Sequence, residues 1–264
     1  MESFIKPDFI ELDFTDLAWA LGMIAIAIGI SSWQKLGLEI PLANATLRTV
    51  VQLLGVGYIL AVIFELKNAI AVLLVLMVML TIATITARNR IGKKIPQIVP
   101  VLFGSLFFST ALTLIYTNLL IIQPETWYEP QYLIPLAGIV LGNAMNGAAI
   151  AGERLVSTIN TSRLEIETYL SLGATPQQAV TTYRKEAIRA GLIPTLNQMM
   201  VVGIVTLPGM ITGQLLSGID PLDAASYQIL IMLMLAFTNL ITTVLVTQGL
   251  IRQFFNEQLQ LHLP

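Results

Sequence analysis

The sequence has no cysteine and a single histidine, His262, close to its C-terminus. Disulfides, thiolate metal sites and iron–sulfur clusters are thereby excluded, and a histidine-based zinc or haem centre is not expected. Charge is scarce as well. Only 11% of the 264 residues are charged and the net charge is −2, so no basic surface points to nucleic acid. No GxxxxGK[ST] loop is present, so ATP cannot be cradled in that way, and energy must come from an ion gradient or another polypeptide. A paired acid and base, a Ser/Lys pair and an HExxH-like motif are all missing, so the chain is expected not to be an enzyme and to need no cofactor. There is no low-complexity run and no clear internal repeat, which disfavours an inverted-repeat transporter. The acidic N-terminal stretch MESFIKPDFIELDFTD lacks the basic start of a cleaved signal, so the first apolar run is expected to be a retained span.

What the chain has in abundance is apolar surface. Hydrophobic residues make up 55% of it, and the mean hydropathy is +0.77. These values predict a multi-pass, all-α protein of the cell membrane with the lipid bilayer as solvent. Seven apolar segments approach the ~20 residues that a bilayer needs: 17–32, 41–64, 69–87, 98–122, 132–152, 192–216 and 225–251. Seven spans put Lys35, the Arg88–Arg90–Lys93–Lys94 loop, the basic residues from Arg154 to Arg189, and Arg252 on one side. The acidic N-terminus, Glu125, Glu129, Asp220 and Asp223 fall on the other. The positive-inside rule then predicts an external N-terminus and a cytosolic C-terminus. The whole of 1–264 reads as one membrane domain, with a cytosolic region at 153–191 between the fifth and sixth spans.

That region is the one long polar stretch, and it is punctuated as two helices. Ser162 and Glu165 have capping-box spacing, so a helix is predicted from Arg163 to Leu172, followed by Gly173 as a left-handed cap. Thr175, Pro176 and Gln178 repeat the start signal. The second helix is predicted over 176–190, with Arg184, Lys185 and Arg189 towards its end and Gly191 closing it.

Polar residues inside the spans are the other clue, since lipid makes them costly. Arg48 and Gln52 share a face of the second span. Two readings stand: a pathway contact, or a charge paired with Glu39 or Glu153 that fixes packing. In the fifth span, Gly138, Gly142, Ala144, Gly147 and Ala148 give small-residue spacing for close helix approach. Asn143 and Asn146, at i and i+3, either bond neighbouring helices or line a polar cavity. In the sixth, Gln198 and Met199 come early, and TLPGMITGQ sets Pro208 and Gly209 deep in the membrane. Proline should kink or break that helix, so Thr206 to Gln214, with Met210, becomes candidate pathway backbone beside a simple packing kink. The ten methionines show no obvious ligand pattern, and the spans hold no Asp, Glu or His suited to a hard divalent cation; which residues, if any, hold a metal stays open.

The segments GERL, ETYLSLGAT, IPTLNQMMVVGIVTLPGMITGQLLSGIDPLDAASYQI and RTVVQLLGVGY resemble the iron-export permease family of ABC transporters, which has plant aluminium-tolerance relatives. ETYLSLGATPQQAV together with the later AIRAGLIPTL also resembles the cytoplasmic signature loop of ABC permeases through Glu167, Leu172, Gly173, Ala174 and Pro194, while Tyr169 and Leu170 depart from its usual alanines. The resemblance implies a homodimeric permease paired with two copies of a separate ABC ATPase. Arg163 to Leu172 would be the docking helix, with Arg163, Glu165, Glu167, Leu170, Leu172, Gly173 and Ala174 as the coupling residues. It implies export of iron or another metal, with an organic or sugar-nucleotide-type solute as the alternative cargo. A reading from another class, a membrane scaffold or intramembrane enzyme that docks a cytosolic partner, stands beside it.

Overall fold

The computed structural model describes residues 13–66, 68–92, 95, 97–256 and 260–261. Lys93, Lys94, the first twelve residues and His262, which entered the charge and ligand arguments, lie outside the described residues. The regular elements are helical: α1 (Phe14–Trp33), α2 (Glu39–Leu66), α3 (Ala69–Ile91), α4 (Ile98–Tyr116), α5 (Pro130–Thr161), α6 (Arg163–Ser171), α7 (Pro176–Ala179), α8 (Thr181–Val201), α9 (Gly209–Leu216) and α10 (Pro221–Gln253). A π-helical turn, Thr117–Ile122, continues α4. Among the described residues six helices are long and apolar enough to cross a membrane: α1, α2, α3, α4 with its π-helical extension, α5 and α10. The protein is a polytopic all-α membrane protein. The segment 192–216, expected to be a seventh span, is not one helix: it comprises the second half of α8, an irregular turn and α9.

The chain divides into two compact units. The first holds the described residues of Met1–Lys67 with Leu216–Gly218, and its body is the hairpin of α1 and α2. That turn is tied by side chains. Ser31 Oγ donates to Glu39 Oε1 at 2.9 Å and accepts from the Leu38 N–H at 3.1 Å. Glu39 is thereby engaged by Ser31, and among the described residues no ion pair joins it to Arg48.

The second unit holds Asn68–Leu215 and Ile219–Pro264. Here α5 is the central post, packed by α3, α4, α8 and α10, while α4 also lies along α10. One apolar cluster occupies the end of this bundle that bears α6. It joins Ile91 and Leu102 to Leu155, Ile159, Ile166 and the fully buried Phe254. α5 runs nine residues past Gly152, the last residue of its expected span, and the cluster follows it. At roughly 25 cal/mol per Å² of buried apolar surface, a fully buried isoleucine such as Ile166 contributes about 1.5–3 kcal/mol.

Two expected boundaries differ. Gly191 does not close a helix; α8 runs through both Gly191 and Pro194 to Val201. A Cβ on Gly191 would lie 2.7 Å from the Gly147 carbonyl oxygen, 2.9 Å from Thr243 Cγ2 and 3.0 Å from Ala151 Cβ. This glycine is there because three helices meet, not because a helix stops. Likewise the Ser162–Glu165 capping box does not form. α5 extends to Thr161, so the Ser162 N–H is already used by Thr158 O (2.9 Å), and the Ser162 side chain makes no cap. The Thr175 box is present as expected: Gln178 N–H donates to Thr175 Oγ1 (3.3 Å), and Thr175 N–H to Gln178 Oε1 (2.8 Å). It starts a single turn, α7, with α8 following at Thr181.

Candidate functional site

α6 is short, about 14 Å at ~1.5 Å per residue. One side is anchored: Ile166 is fully buried and Leu170 packs on the same cluster. The other side is bare, with Leu164 and Leu172 each 80% exposed. At i and i+8 these leucines sit on one face, with Thr168 between them. Arg163 Nε pairs with Glu167 at 2.8 Å across one turn, where both side chains are largely solvated. Such a pair contributes about 0.3–0.5 kcal/mol and chiefly orients the two residues. Gly173 ends the helix at φ +91°, with its N–H on Leu170 O and the Ala174 N–H on Tyr169 O, both at 3.0 Å. This is the left-handed cap expected from sequence. Glu165 faces Tyr183 of α8. The phenolic oxygen approaches Glu165 and Ser162 without a well-aligned hydrogen bond, and burial, reinforced by the Glu165 carboxylate, pushes its pKa above 10.0.

The amides of α5 go separate ways. Asn143 Nδ2 donates to Ile139 O in its own helix at 3.3 Å. Asn146 is exposed and accepts from Arg90 Nη1 of α3 at 3.1 Å. Arg90 was not a candidate from sequence, where it counted only towards topology. On the far side of α5, Asn239 of α10 lies against Gly147, where any Cβ would collide with its Oδ1. Its Nδ2 donates to Gly191 O (3.2 Å) and Thr195 Oγ1 (2.7 Å) of α8. Gly147, Gly191 and Asn239 thus staple α5, α8 and α10 at one level.

A second polar feature also escaped the sequence. α4 and α10 face each other through buried hydroxyls. Ser109 meets Thr242 and Thr113 meets Thr238, both at 2.6 Å. Arg184 Nε reaches Thr247 Oγ1 of α10 at 3.5 Å. In each pair one hydroxyl donates across the seam and the other can donate to the carbonyl one turn back in its own helix, which lies within hydrogen-bond reach of all four. That local partner is why such residues can sit in a span without advertising a contact.

The expected break in 192–216 is present. After Val201 the chain turns through Gly203 (φ +80°), whose N–H donates to Thr206 O at 2.9 Å, while Val201 O accepts from the N–H groups of Ile204, Val205 and Thr206. Pro208 precedes the first residue of α9, Gly209. Met199 and Pro208 line a cavity of about 260 Å³ against α10. Gln198 and Met210 are half-buried, and Gln214 Oε1 is buried without a hydrogen-bond partner. Arg48 and Gln52 are exposed on α2 of the first unit. Among the described residues no group of three or more His, Cys, Asp or Glu is placed to hold a metal ion.

The chain matches the family described as an uncharacterised protein family, UPF0014, over residues 14–255. It is 55% identical over 252 residues to a UPF0014 membrane protein of Synechocystis, covering 96% of this chain and 97% of that protein. It is 35% identical over 245 residues to the probable iron export permease protein FetB of Escherichia coli, covering 93% of each. It is 33% identical over 247 residues to the protein ALUMINUM SENSITIVE 3 of Arabidopsis thaliana, covering 93% of this chain and 89% of that protein. No solved structure matches. Carrying that family's sequence from α1 to the residues just beyond α10, this polytopic protein belongs to UPF0014.

Proposed function

We propose that the chain is the transmembrane subunit of an ATP-driven exporter, worked by a separately encoded ABC ATPase and acting as a homodimer with two ATPase copies. Iron or another metal is the cargo suggested by its relative FetB. The observation that carries the reading is α6, a capped helix set apart from the six candidate spans, fixed on one side by Ile166 and presenting two bare leucines on the other. Burying both in a groove would contribute about 1.5–3 kcal/mol each. A well-anchored helix transmits displacement where a loose one would yield. The buried Ile166 and Val180 belong to one cluster, so motion of α6 passes into α8 and along it to the Gly191–Asn239 staple.

The basic residues of this region suit the cytosolic side, where an ATPase resides. A tagged chain purified from its own membranes should bring ATP hydrolysis with it, and Leu164→Asp with Leu172→Asp should remove that activity from a protein that still folds. A wild-type eluate without ATPase activity refutes the reading. Sealed vesicles holding both subunits, tested with a panel of metals and organic solutes, then identify the cargo. The organic-solute reading has its own support in the uncharged cavity beside Met199 and Pro208.

A further inference from the structure

α10 contributes one residue that neither the packing nor the coupling argument uses. Gln228 lies two turns into this span and is only 5% exposed. Neither its Nε2 nor its Oε1 has a hydrogen-bond partner. It lines the cavity of about 260 Å³ at the break between α8 and α9, and among the described residues it is the sole polar side chain in that lining. The other walls include Met199, Leu207, Ile211, Ile229 and Met232. Leucine would fill the position without the desolvation cost that an unpaired amide carries. A water held there would need roughly two to four polar partners, and the side chains offer one. Apolar walls around a few convergent polar groups are the usual form of a small-molecule site.

We propose that this cavity binds an uncharged organic group bearing a donor and an acceptor side by side, as a primary carboxamide does, on a slim apolar body. The proposal rests on the permease reading and adds to it a position where cargo is held. The planar Gln228 amide carries N–H and C=O on one edge; both atoms are buried behind the cavity wall, and a rotation about the side chain's own bonds turns that edge inward, where a second amide completes two hydrogen bonds with it. The walls hold no counter-charge, so a carboxylate or an ammonium group would enter unpaired, at high cost.

Octanamide, N,N-dimethyloctanamide and octane are suitable probes, added to the purified full chain carrying ¹⁵N in its glutamine side chains. Octanamide is expected to shift one side-chain NH₂ pair, and that pair is missing from the Gln228→Leu spectrum. It should bind at least about tenfold more tightly to the wild type than to Gln228→Leu, and more tightly than the dimethyl compound, which lacks the donor. Gln228→Met, which keeps the length without the amide, replaces Gln228→Leu if the latter does not fold. Equal binding of octanamide by wild type and a folded variant overturns the proposal, as does a wild type that treats octanamide and octane alike. A chain that binds octanamide but brings down no ATPase refutes the permease reading alone. A chain that couples to an ATPase and ignores octanamide refutes the cavity alone.

Discussion

Replacing Gly191 by alanine tests whether the junction of α5, α8 and α10 is as tight as its geometry implies. The new Cβ would stand 2.7 Å from the Gly147 carbonyl oxygen and 3.0 Å from Ala151 Cβ, neither of which can rotate away. The helices must therefore part, which stretches the bonds from Asn239 to Gly191 O and Thr195 Oγ1. Overpacking of this kind costs about 1–3 kcal/mol, and two interhelical hydrogen bonds in a membrane add about 0.6 kcal/mol each. Against this, alanine gains up to about 1 kcal/mol in helix propensity. Clash and lost bonds outweigh propensity, leaving Gly191→Ala less stable by about 1–3 kcal/mol. Gly104→Ala on α4 is the control, because a Cβ there meets nothing within 4 Å and only the propensity gain applies. Reversible unfolding of both variants by SDS in mixed micelles should separate them in opposite directions from the wild type. If Gly191→Ala proves as stable as Gly104→Ala, the three-helix staple is not a tight contact and the route from α6 through α8 loses its basis.

Gly173→Val forces a β-branched residue to φ +91° with open space around it, so about 1–2 kcal/mol of backbone strain should fall on the α6 cap. Partner-stimulated ATP hydrolysis should drop while Gly173→Asn retains most of it; full activity in the valine variant would dissociate this cap from coupling. Asn143→Leu, Asn146→Leu and Gln198→Leu are expected to alter transport in vesicles more than assembly, and unchanged export in all three sinks their pathway role. Tyr183 should ionise above the ordinary tyrosine range in a spectrophotometric titration, because burial and then Glu165 favour the neutral phenol. A pKa raised in the folded state means that its contribution is present below pH ~10 and is lost as the pH rises through the folded value. A Tyr183 that titrates at or below 10 contradicts the buried contact with α6.

Local chemistry explains what the sequence made legible. The Thr175–Gln178 box and the Gly173 cap each depend on a few neighbouring residues and appear where those residues predict, whereas the break expected at Pro208–Gly209 begins earlier, after Val201, and Gly209 starts α9. The failures are places where tertiary structure claimed a local signal. Ser162 could not cap α6 because α5 had taken its N–H, and Gly191 read as a stop because glycine serves equally for a turn and for contact between helices. α6 was expected from its punctuation, yet Leu164, its barest residue with Leu172, looked like any leucine until Ile166 was seen to turn inward. Asn239, Gln228 and Arg90 carried no periodic signal, since their meaning lies in what stands across from them on another helix. Charge bias named a side for each loop, but Lys93 and Lys94 lie outside the described residues.

The hydroxyl pairs between α4 and α10 have a consequence for sliding. Ser105, Ser109, Thr113 and Thr117 form a four-residue series of buried hydroxyls along α4 and its π-helical extension, facing Thr238 and Thr242 of an antiparallel α10. A slip of one helical turn, about 5.4 Å, would oppose Ser109 to Thr238 and Ser105 to Thr242. A slip the other way would oppose Thr113 to Thr242 and Thr117 to Thr238. Each register meets hydroxyl with hydroxyl, and Ser109, Thr113, Thr238 and Thr242 each keep a carbonyl of their own helix in reserve. The hydroxyl pairs therefore hold the two helices together without fixing their register; that falls to Val101 of α4, which sits so close to Gly249 of α10 that any Cβ there would collide with it. With no native cysteine to interfere, disulfide trapping should succeed at 109/242 and fail at 109/238, and trapping at both would show that the Val101–Gly249 contact does not lock the register.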